Sequence, residues 1–262
     1  MGIVNVTPDS FADGGRFLEP DEAVKHAARL IAAGADILDV GGESTRPGAA
    51  EVPTDQELDR VIPVIELLTR EFDVPVSIDT SKAIVMREAV TVGAVMVNDV
   101  CALESEDALA TVAGLEVAVC LVHMQGRPRS MQDAPGYADV TEEVCDYLRK
   151  RAEACLAAGI HADNIIIDPG FGFGKTLEHN LQLLRELDRL VEIGFPVLVG
   201  LSRKSMLGTM IGRDVHDRLA GSLALALLAA QQGAAIFRVH DVAPTVDVLR
   251  VLRQLNNKYA TH

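Results

Sequence analysis

The sequence predicts a single-domain α/β protein with the architecture of a (β/α)8 barrel, the TIM barrel, over residues 1–262. Eight short apolar runs recur along the chain, and segments with the period of an amphipathic helix separate them. No low-complexity linker or shift in composition interrupts this alternation, so no domain boundary is expected. Eight uninterrupted repeats favour a closed barrel over an open doubly wound sheet.

The eight apolar runs are the predicted strands. In chain order they cover residues 2–6, 37–40, 76–79, 95–98, 117–122, 165–168, 197–202 and 236–239. Hydrophobic residues make up 48% of the chain and tryptophan is absent, so the core must be built mainly from Ala, Val, Leu and Ile. That composition suits parallel strands buried on both faces beneath helices.

The segments between the strands have the pattern of amphipathic helices. Within residues 21–33, the apolar side chains that share one stripe are Ala23, Val24, Ala27, Leu30 and Ile31. After the second strand, the corresponding stripe consists of Leu58, Val61, Ile62, Ile65 and Leu68. Glycines stand shortly before the next strand at positions 34, 93 and 233, where a left-handed residue that ends a helix costs least.

Charge and cysteine content exclude several classes of partner and site. Acidic residues outnumber basic ones 38 to 24, and the formal net charge of −14 argues against a surface for nucleic acid or anionic membranes. The sequence has no signal-peptide pattern and no apolar stretch long enough to span a bilayer, which predicts a cytoplasmic location. The widely spaced cysteines predict buried thiols in a reducing compartment and not a metal or disulfide site; they are Cys101, Cys120, Cys145 and Cys155.

Polar residues stand at or near the carboxyl ends of most predicted strands, where a buried strand should stay apolar. They are Asn5, Asp39, Asp79, Asn98, Asp99, His123, Asp168, Ser202, Lys204, Arg238 and His240. Each of them alone would be interpreted as a turn former or helix cap. In a closed barrel, however, all eight strand ends open onto one mouth, so we expect these side chains to converge there.

The converging groups divide by charge in a way that indicates a ligand. Asp79, Asn98 and Asp168 offer acceptors and an amide, which suit a flat heterocycle bearing amino and ring N–H donors. Cations suited to a phosphate group come from Lys204, Arg238 and His240, and from Arg46 in the loop after the second strand. The pattern predicts a pocket that binds a polar ring at its floor and an anion at its rim.

Two long polar loops follow the first and second strands and are candidates to close over a ligand, although such loops are ordinarily turns. A third, residues 168–176, ends in Gly-Lys-Thr, but its glycines are one residue too close for a P-loop, so ATP binding is not expected. Its glycines would let the backbone approach a ligand. Phe171 or Phe173 would then cover an aromatic face, or both rings would pack in the barrel mouth.

Lys204 has two interpretations, because a lysine at a barrel strand end can form a Schiff base. Its neighbours Ser202, Arg203 and Ser205 begin a predicted helix, whose N–H groups favour an anion. This setting suits a charged donor better than a neutral nucleophile.

At these loops the sequence resembles the dihydropteroate synthase family. The matching segments are residues 1–11, 42–48, 77–80, 97–99, 168–175, 202–205 and 238–240, in family order across essentially the whole chain. The resemblance implies a TIM barrel that joins 6-hydroxymethyl-7,8-dihydropterin diphosphate to p-aminobenzoate and is inhibited by sulfonamides. It also implies a homodimer. Family members usually carry a short segment before the first of these motifs, and the sequence lacks it.

Carried over residue by residue, the resemblance assigns roles to the strand-end groups. The pterin would be held by Asp79, Asn98, Asp168 and Lys204. The diphosphate would be held by Asn5, Arg238 and His240, with Asn5 also a ligand of Mg²⁺. The residues near p-aminobenzoate would be Thr45, Arg46, Phe173 and Ser205.

The implied reaction is an SN1-like substitution in which diphosphate leaves and a delocalised pterin cation forms. Mg²⁺, Arg238 and His240 would neutralise the leaving group, while Asp79 and Asp168 would stabilise the cation. One rival is a pterin-binding barrel that transfers methyl from methyltetrahydrofolate to a corrinoid protein, which would not need the diphosphate cations. The other is a non-catalytic pterin-binding homologue, which could lack Asn5, Arg238 or His240.

Overall fold

A ring of parallel strands forms the centre of the molecule in the computed structural model, which describes residues 1–7, 20–44, 49–127 and 130–257. The strands found in this part of the chain are β1 (Gly2–Asn5), β2 (Leu38–Gly41), β3 (Val76–Asp79), β4 (Met96–Asp99), β5 (Ala118–Val122), β6 (Ile165–Asp168), β7 (Leu198–Val199) and β8 (Ile236–Phe237). Strands β1 to β6 pair in sequence order, and β7 pairs with β8. Parallel bridges from Gly2 to Val239 and from Ile167 to Val197 join the two sheets and close the barrel.

The outer layer consists of helices that connect successive strands. The helices in the described residues are α1 (Pro20–Ala32), α2 (Thr54–Glu71), α3 (Ala83–Thr91), α4 (Ala108–Ala113), α5 (Val140–Ala157), α6 (Leu177–Arg185), α7 (Leu187–Val191), α8 (Ser205–Ile211), α9 (Leu219–Gln231) and α10 (Val242–Asn257). The predicted (β/α)8 barrel is therefore confirmed. None of the described helices combines the length and apolar character needed to span a lipid bilayer.

The predicted apolar stripes face the barrel as expected. Ala23, Ala27 and Leu30 of α1 are buried, as are Val61, Ile65 and Leu68 of α2. The glycines predicted to end helices have positive φ angles of 97° at Gly34, 112° at Gly93 and 98° at Gly233. These local predictions succeed because side-chain periodicity and glycine stereochemistry do not depend on the rest of the chain.

Two predicted strands are too long. The run 197–202 forms a strand only at Leu198–Val199, because the chain then turns, with Arg203 at a φ of 57°. The run 236–239 forms a strand only at Ile236–Phe237, although Val239 still bridges to Gly2. Elsewhere the predicted strand ends differ from the observed ones by at most one residue or agree with them.

The core has two parts, one between strands and helices and a smaller one inside the barrel. The inner part consists of Met1, Met96, Cys120, Val122, Ile166 and Leu198. Alternate residues of a strand face opposite sides of the sheet. Polar residues that alternate in step with these apolar side chains therefore also face inwards. Asp39 and Ser77, at 0% exposure, are adjacent in the β2–β3 register. The part of the barrel interior that β2 and β3 line is therefore polar.

Candidate active site at the barrel mouth

The strand-end residues converge on one cleft at the mouth of the barrel, as the sequence predicts. Its lining residues come from six strands, β3 to β8, or the segments after them, and they are Asp79, Asn98, Val100, Val122, Asp168, Phe171, Phe173, Gly200, Lys204 and Arg238. The strand register explains part of this convergence, because Gly41 is the partner of Asp79 and Asp79 is the partner of Asn98. The predicted pterin-binding side chains therefore share one site.

Arg238, which follows β8, contacts side chains of β2 and β3. Its Nε donates to Asp39 Oδ2, and its Nη2 donates to Asp79 Oδ2 at 2.5 Å. Burial raises the pKa of Asp79 to about 7, and the nearby Arg238 guanidinium opposes that rise. Sequence reasoning placed Arg238 at the diphosphate and gave Asp39 no role. The structure shows that Arg238 also contacts Asp39 and Asp79, the second of which was predicted to bind the ring.

Asp168 and Lys204 lie on the other side of the cleft. The Oδ1 of Asp168 accepts a hydrogen bond from the Gly170 N–H at 2.7 Å, and burial raises its pKa to about 6. Burial lowers the pKa of Lys204 to about 8, while Asp168 opposes that shift. The Lys204 Nζ lies 4.2 Å from the centre of the Phe173 ring. Lys204 is therefore mostly protonated at neutral pH, which favours the donor interpretation over a Schiff base.

The glycine-rich loop after β6 packs into the protein and does not open towards solvent. Lys175 is 3% exposed, and its Nζ lies 2.8 Å from His123 Nδ1, 3.0 Å from the Gly170 oxygen and 3.1 Å from the Phe173 oxygen. A side chain at Gly170 would meet the His123 oxygen at 1.8 Å. These contacts agree with the expectation that the loop is not a P-loop, because the lysine binds the loop itself and not a phosphate group.

The two phenylalanines of this loop differ in environment. Phe171 is 1% exposed and belongs to the core, whereas Phe173 is half-buried beneath Lys204. Phe173 is thus the ring that faces the cleft. Sequence reasoning did not identify Lys175 as part of the site, and its only signal was its place at the end of the glycine-rich loop.

The segments that follow β7 and β8 are held together by an ion pair. Arg203 donates from Nε to Asp241 Oδ2 at 2.8 Å and from Nη2 to Asp241 Oδ1 at 2.5 Å. The Nη1 of Arg218 lies 3.2 Å from the Arg203 oxygen and 3.3 Å from the Lys204 oxygen. These contacts fix Lys204 next to His240, on the neighbouring strand end.

His240 does not carry the charge that the sequence analysis expected. Burial, followed by the nearby Arg203 and Arg238 guanidiniums, lowers its pKa to about 4. Its Nδ1 lies 3.0 Å from Ser202 Oγ. In the protein alone, the imidazole is therefore a neutral hydrogen-bonding group at neutral pH. The sequence does not indicate this lowered pKa, because it shows neither burial nor the neighbouring positive charges.

Of the remaining predicted residues, Asn5 and Ser205 are described by the structure and Thr45 and Arg46 are not. Asn5 ends β1, and a side chain at Gly41 would come within 3.5 Å of Asp79 Cβ and 3.9 Å of Asn5 Oδ1. Gly41 therefore leaves space between these two polar groups. Ser205 is exposed at the start of α8. Thr45 and Arg46 lie outside the described residues, as does most of the loop after β1.

Comparisons with known proteins agree with this site. Residues 1–240 match the family model described as pterin binding enzyme. The dihydropteroate synthase of Haemophilus influenzae is 51% identical over 257 residues, which cover 98% of this chain and 94% of that protein.

Two solved structures are similarly close. The Yersinia pestis dihydropteroate synthase in a sulfonamide drug complex has a TM-score of 0.94 and 48% identity, covering 98% of this chain and 93% of that one. The Xanthomonas albilineans dihydropteroate synthase with 4-aminobenzoic acid has a TM-score of 0.92 and 54% identity. The match covers 97% of this chain and 92% of that one. The family model spans most of the chain and these relatives cover nearly all of it, so the chain belongs to the dihydropteroate synthase family of pterin-binding enzymes.

Proposed function

We propose that this chain condenses 6-hydroxymethyl-7,8-dihydropterin diphosphate with p-aminobenzoate to give 7,8-dihydropteroate and diphosphate in folate biosynthesis. The observation that carries the proposal is the single cleft in which Asp79, Asn98 and Asp168 face Lys204 and Arg238. The cleft offers acceptors for a ring with N–H donors and cations for an anionic leaving group. The related Xanthomonas albilineans enzyme, solved with 4-aminobenzoic acid, supports the second substrate.

The floor of the cleft suits the pterin ring. Asp168 and Asn98 present oxygen acceptors from neighbouring parts of the barrel, and Lys204 supplies a protonated donor. The Phe173 ring, which already contacts the Lys204 ammonium, provides an aromatic face at the edge of the ring site. Because these groups sit on or next to strands, they are held in place before the ligand arrives.

The reaction requires charge stabilisation and not a covalent nucleophile. The bond between the pterin CH₂ group and the diphosphate oxygen breaks, and the electron pair leaves with diphosphate. Asp79 and Asp168 stabilise the cation left on the pterin. The p-aminobenzoate nitrogen then bonds to the CH₂ carbon and loses a proton. Phe173, Ser205, Thr45 and Arg46 are proposed to bind p-aminobenzoate.

Arg238, His240 and Asn5 are proposed to receive the diphosphate. His240, neutral in the protein alone, would gain a proton more easily beside diphosphate, because a nearby anion raises the pKa of an imidazole. Arg238 is already positioned by Asp39 and Asp79, so it needs little rearrangement to meet the leaving group.

We propose that Mg²⁺ binds at Asn5 together with the diphosphate. Within the described residues, no group of three or more His, Cys, Asp or Glu side chains is arranged to hold a metal ion. Mg²⁺ typically binds through one or two protein oxygens together with waters and substrate phosphates. The Asn5 amide oxygen, beside the space kept open by Gly41, suits that mode of binding. When bound, the ion would neutralise charge on the departing diphosphate.

Formation of dihydropteroate from the two substrates is the direct test. We expect product with Mg²⁺, much less with EDTA, and inhibition by a sulfonamide that p-aminobenzoate relieves. Product is measured by liquid chromatography and mass spectrometry. A folded chain that binds the pterin but forms no product would contradict the proposed activity and favour a non-catalytic homologue.

We also propose that the chain is a homodimer that associates through α8 and α9. Helix α9 has the sequence LAGSLALALLAAQ, without a charged residue, yet Leu219 and Leu228 are 40% and 47% exposed. On α8, Met210 and Ile211 are 43% and 44% exposed. An apolar helix with an exposed face is typical of an interface between subunits.

Leu228→Glu tests this interface. The charge would have to be buried at the interface, so we expect the variant to be monomeric at concentrations where the wild type is dimeric. Light scattering after size-exclusion chromatography measures the mass. The matched control is Leu156→Glu on α5, which alters a side chain of 43% exposure and should leave the dimer intact. A dimeric Leu228→Glu protein would count against this surface.

The cysteines support the predicted cytoplasmic location, which we retain as a proposal. All four, each within the described residues, are free thiols, and Cys120, Cys145 and Cys155 are buried. Unpaired thiols are typical of reducing compartments. Burial raises the pKa of the Cys120 thiol well above its usual range, which disfavours the reactive thiolate form.

A further inference from the structure

Asp39 has an unusual environment for a carboxylate. Asp39 lies in the middle of β2 and is 0% exposed, and its side chain faces the barrel interior. Its Oδ2 accepts from Arg238 Nε and from Asn98 Nδ2 at 3.3 Å. Among the described residues, its Oδ1 has no hydrogen-bond partner. A buried polar atom without a partner is costly, so this arrangement calls for a functional explanation.

The contact with Asp39 fixes which way the Asn98 amide faces. An ionised carboxylate can only accept hydrogen bonds, so the Asn98 atom that faces Asp39 must be the NH₂ group. Turning the amide over would bring its oxygen against the Asp39 oxygen. The Asn98 Oδ1 is consequently directed elsewhere, and it is buried without a partner among the described residues. Asn98 lines the cleft, so its free acceptor is available to a ligand there.

Asp39 also fixes the Arg238 guanidinium. One N–H of Arg238 is held by Asp39 and another by Asp79, on the neighbouring strand β3. Two carboxylates that hold one planar group restrict its rotation. The same side chain therefore orients one residue assigned to the ring and one assigned to the leaving group.

We propose that Asp39 is a positioning residue that holds the Asn98 amide with its oxygen towards the cleft, so that the cleft selects rings that donate an N–H at this point. The role is distinct from ligand binding, because Asp39 acts through Asn98 and Arg238. The inference rests on the proposed function. A direct measurement of pterin binding distinguishes failure of the inference from failure of the proposed function. If the wild type does not bind a pterin, the proposed function fails; if it does, Asp39 can be tested alone.

The test is Asp39→Asn, with 6-hydroxymethylpterin as the probe in isothermal calorimetry. An amide at position 39 can donate as well as accept, so Asn98 is free to turn, and we expect the pterin affinity to fall roughly tenfold to a hundredfold. Selectivity gives a second readout. The wild type should strongly prefer the pterin over an analogue in which ring N–H donors are replaced by acceptors, and Asp39→Asn should lose most of that preference. A general loss of packing would weaken both ligands equally.

Asp36→Asn is the matched control. Asp36 lies shortly before the same strand, at the opposite end of the barrel beside Met1 and Ile37. Its substitution should change neither affinity nor selectivity. Asp39→Asn with wild-type selectivity would overturn the proposal.

A measurement on the wild type keeps the proposal testable if Asp39→Asn does not fold. In protein labelled with ¹⁵N at asparagine, the Asn98 side-chain N–H held by Asp39 should exchange slowly with solvent, both before and after pterin is added. Fast exchange in the free protein, or an amide signal that shows the NH₂ group binding the pterin, would contradict the proposed orientation.

Discussion

Replacement of Arg238 by Met is expected to abolish turnover and to lower the free energy of unfolding by about 3–5 kcal/mol. Its guanidinium is the partner of Asp39 and Asp79, which are 0% and 9% exposed. Without it, two buried carboxylates on the neighbouring strands β2 and β3 are left without their shared cation. The effect on stability is large because breaking a buried ion pair leaves uncompensated charge in a medium that solvates it poorly.

The stability deficit of Arg238→Met should depend on pH. Burial raises the pKa of Asp79 to about 7 in the wild type, even with Arg238 opposing it, so loss of Arg238 raises that pKa further. A carboxyl group whose pKa is higher in the folded state than in the unfolded state favours folding at low pH, and this contribution is lost as pH rises through the folded value. The deficit should therefore be larger at pH 8 than at pH 5.

Urea unfolding followed by circular dichroism at both pH values measures this deficit. Arg149→Met is the control, because Arg149 forms an exposed ion pair with Asp146, with side-chain exposures of 50% and 47%. Exposed pairs of this kind contribute about 0–1 kcal/mol. An Arg238→Met protein as stable as the wild type would contradict a stabilising role for this buried ion pair.

Asp168→Asn is expected to weaken pterin binding by about a hundredfold or more. The Oδ1 of Asp168 accepts from the Gly170 N–H at 2.7 Å, a contact that an asparagine oxygen can keep. The second oxygen becomes an NH₂ group that would oppose the ring donors and the nearby Lys204 ammonium. The fold should survive, since the loop contacts made by Lys175 are unchanged.

The pH profile separates this effect from simple misfolding. Burial raises the pKa of Asp168 to about 6, so pterin binding to the wild type should weaken as pH falls through that value, when the carboxylate gains a proton. The Asp168→Asn protein should lack this contribution. Calorimetric titrations between pH 5 and 8 measure it. Asp163→Asn, at an exposed position just before β6, is the control and should bind as the wild type does.

The sequence by itself predicted the barrel and the convergence of its polar strand ends. The strand and helix patterns are local, and closure of eight parallel strands brings their carboxyl ends to one mouth. The sequence alone therefore places Asp79, Asn98, Asp168 and Lys204 in one group. Their roles followed from the family resemblance, which rested on the loop motifs and not on periodicity.

What only the tertiary structure decided is how these groups pair and which of them carry charge. Arg238 meets Asp39 across 199 residues of sequence, and such a pairing depends on closure of the whole barrel. The pKa of His240, near 4, results from burial and neighbouring guanidiniums, and Lys175 is directed inwards by contacts with another loop. Solvation and charge environment are set by all the strands at once, because desolvation depends on every atom around a group and not on its neighbours in sequence.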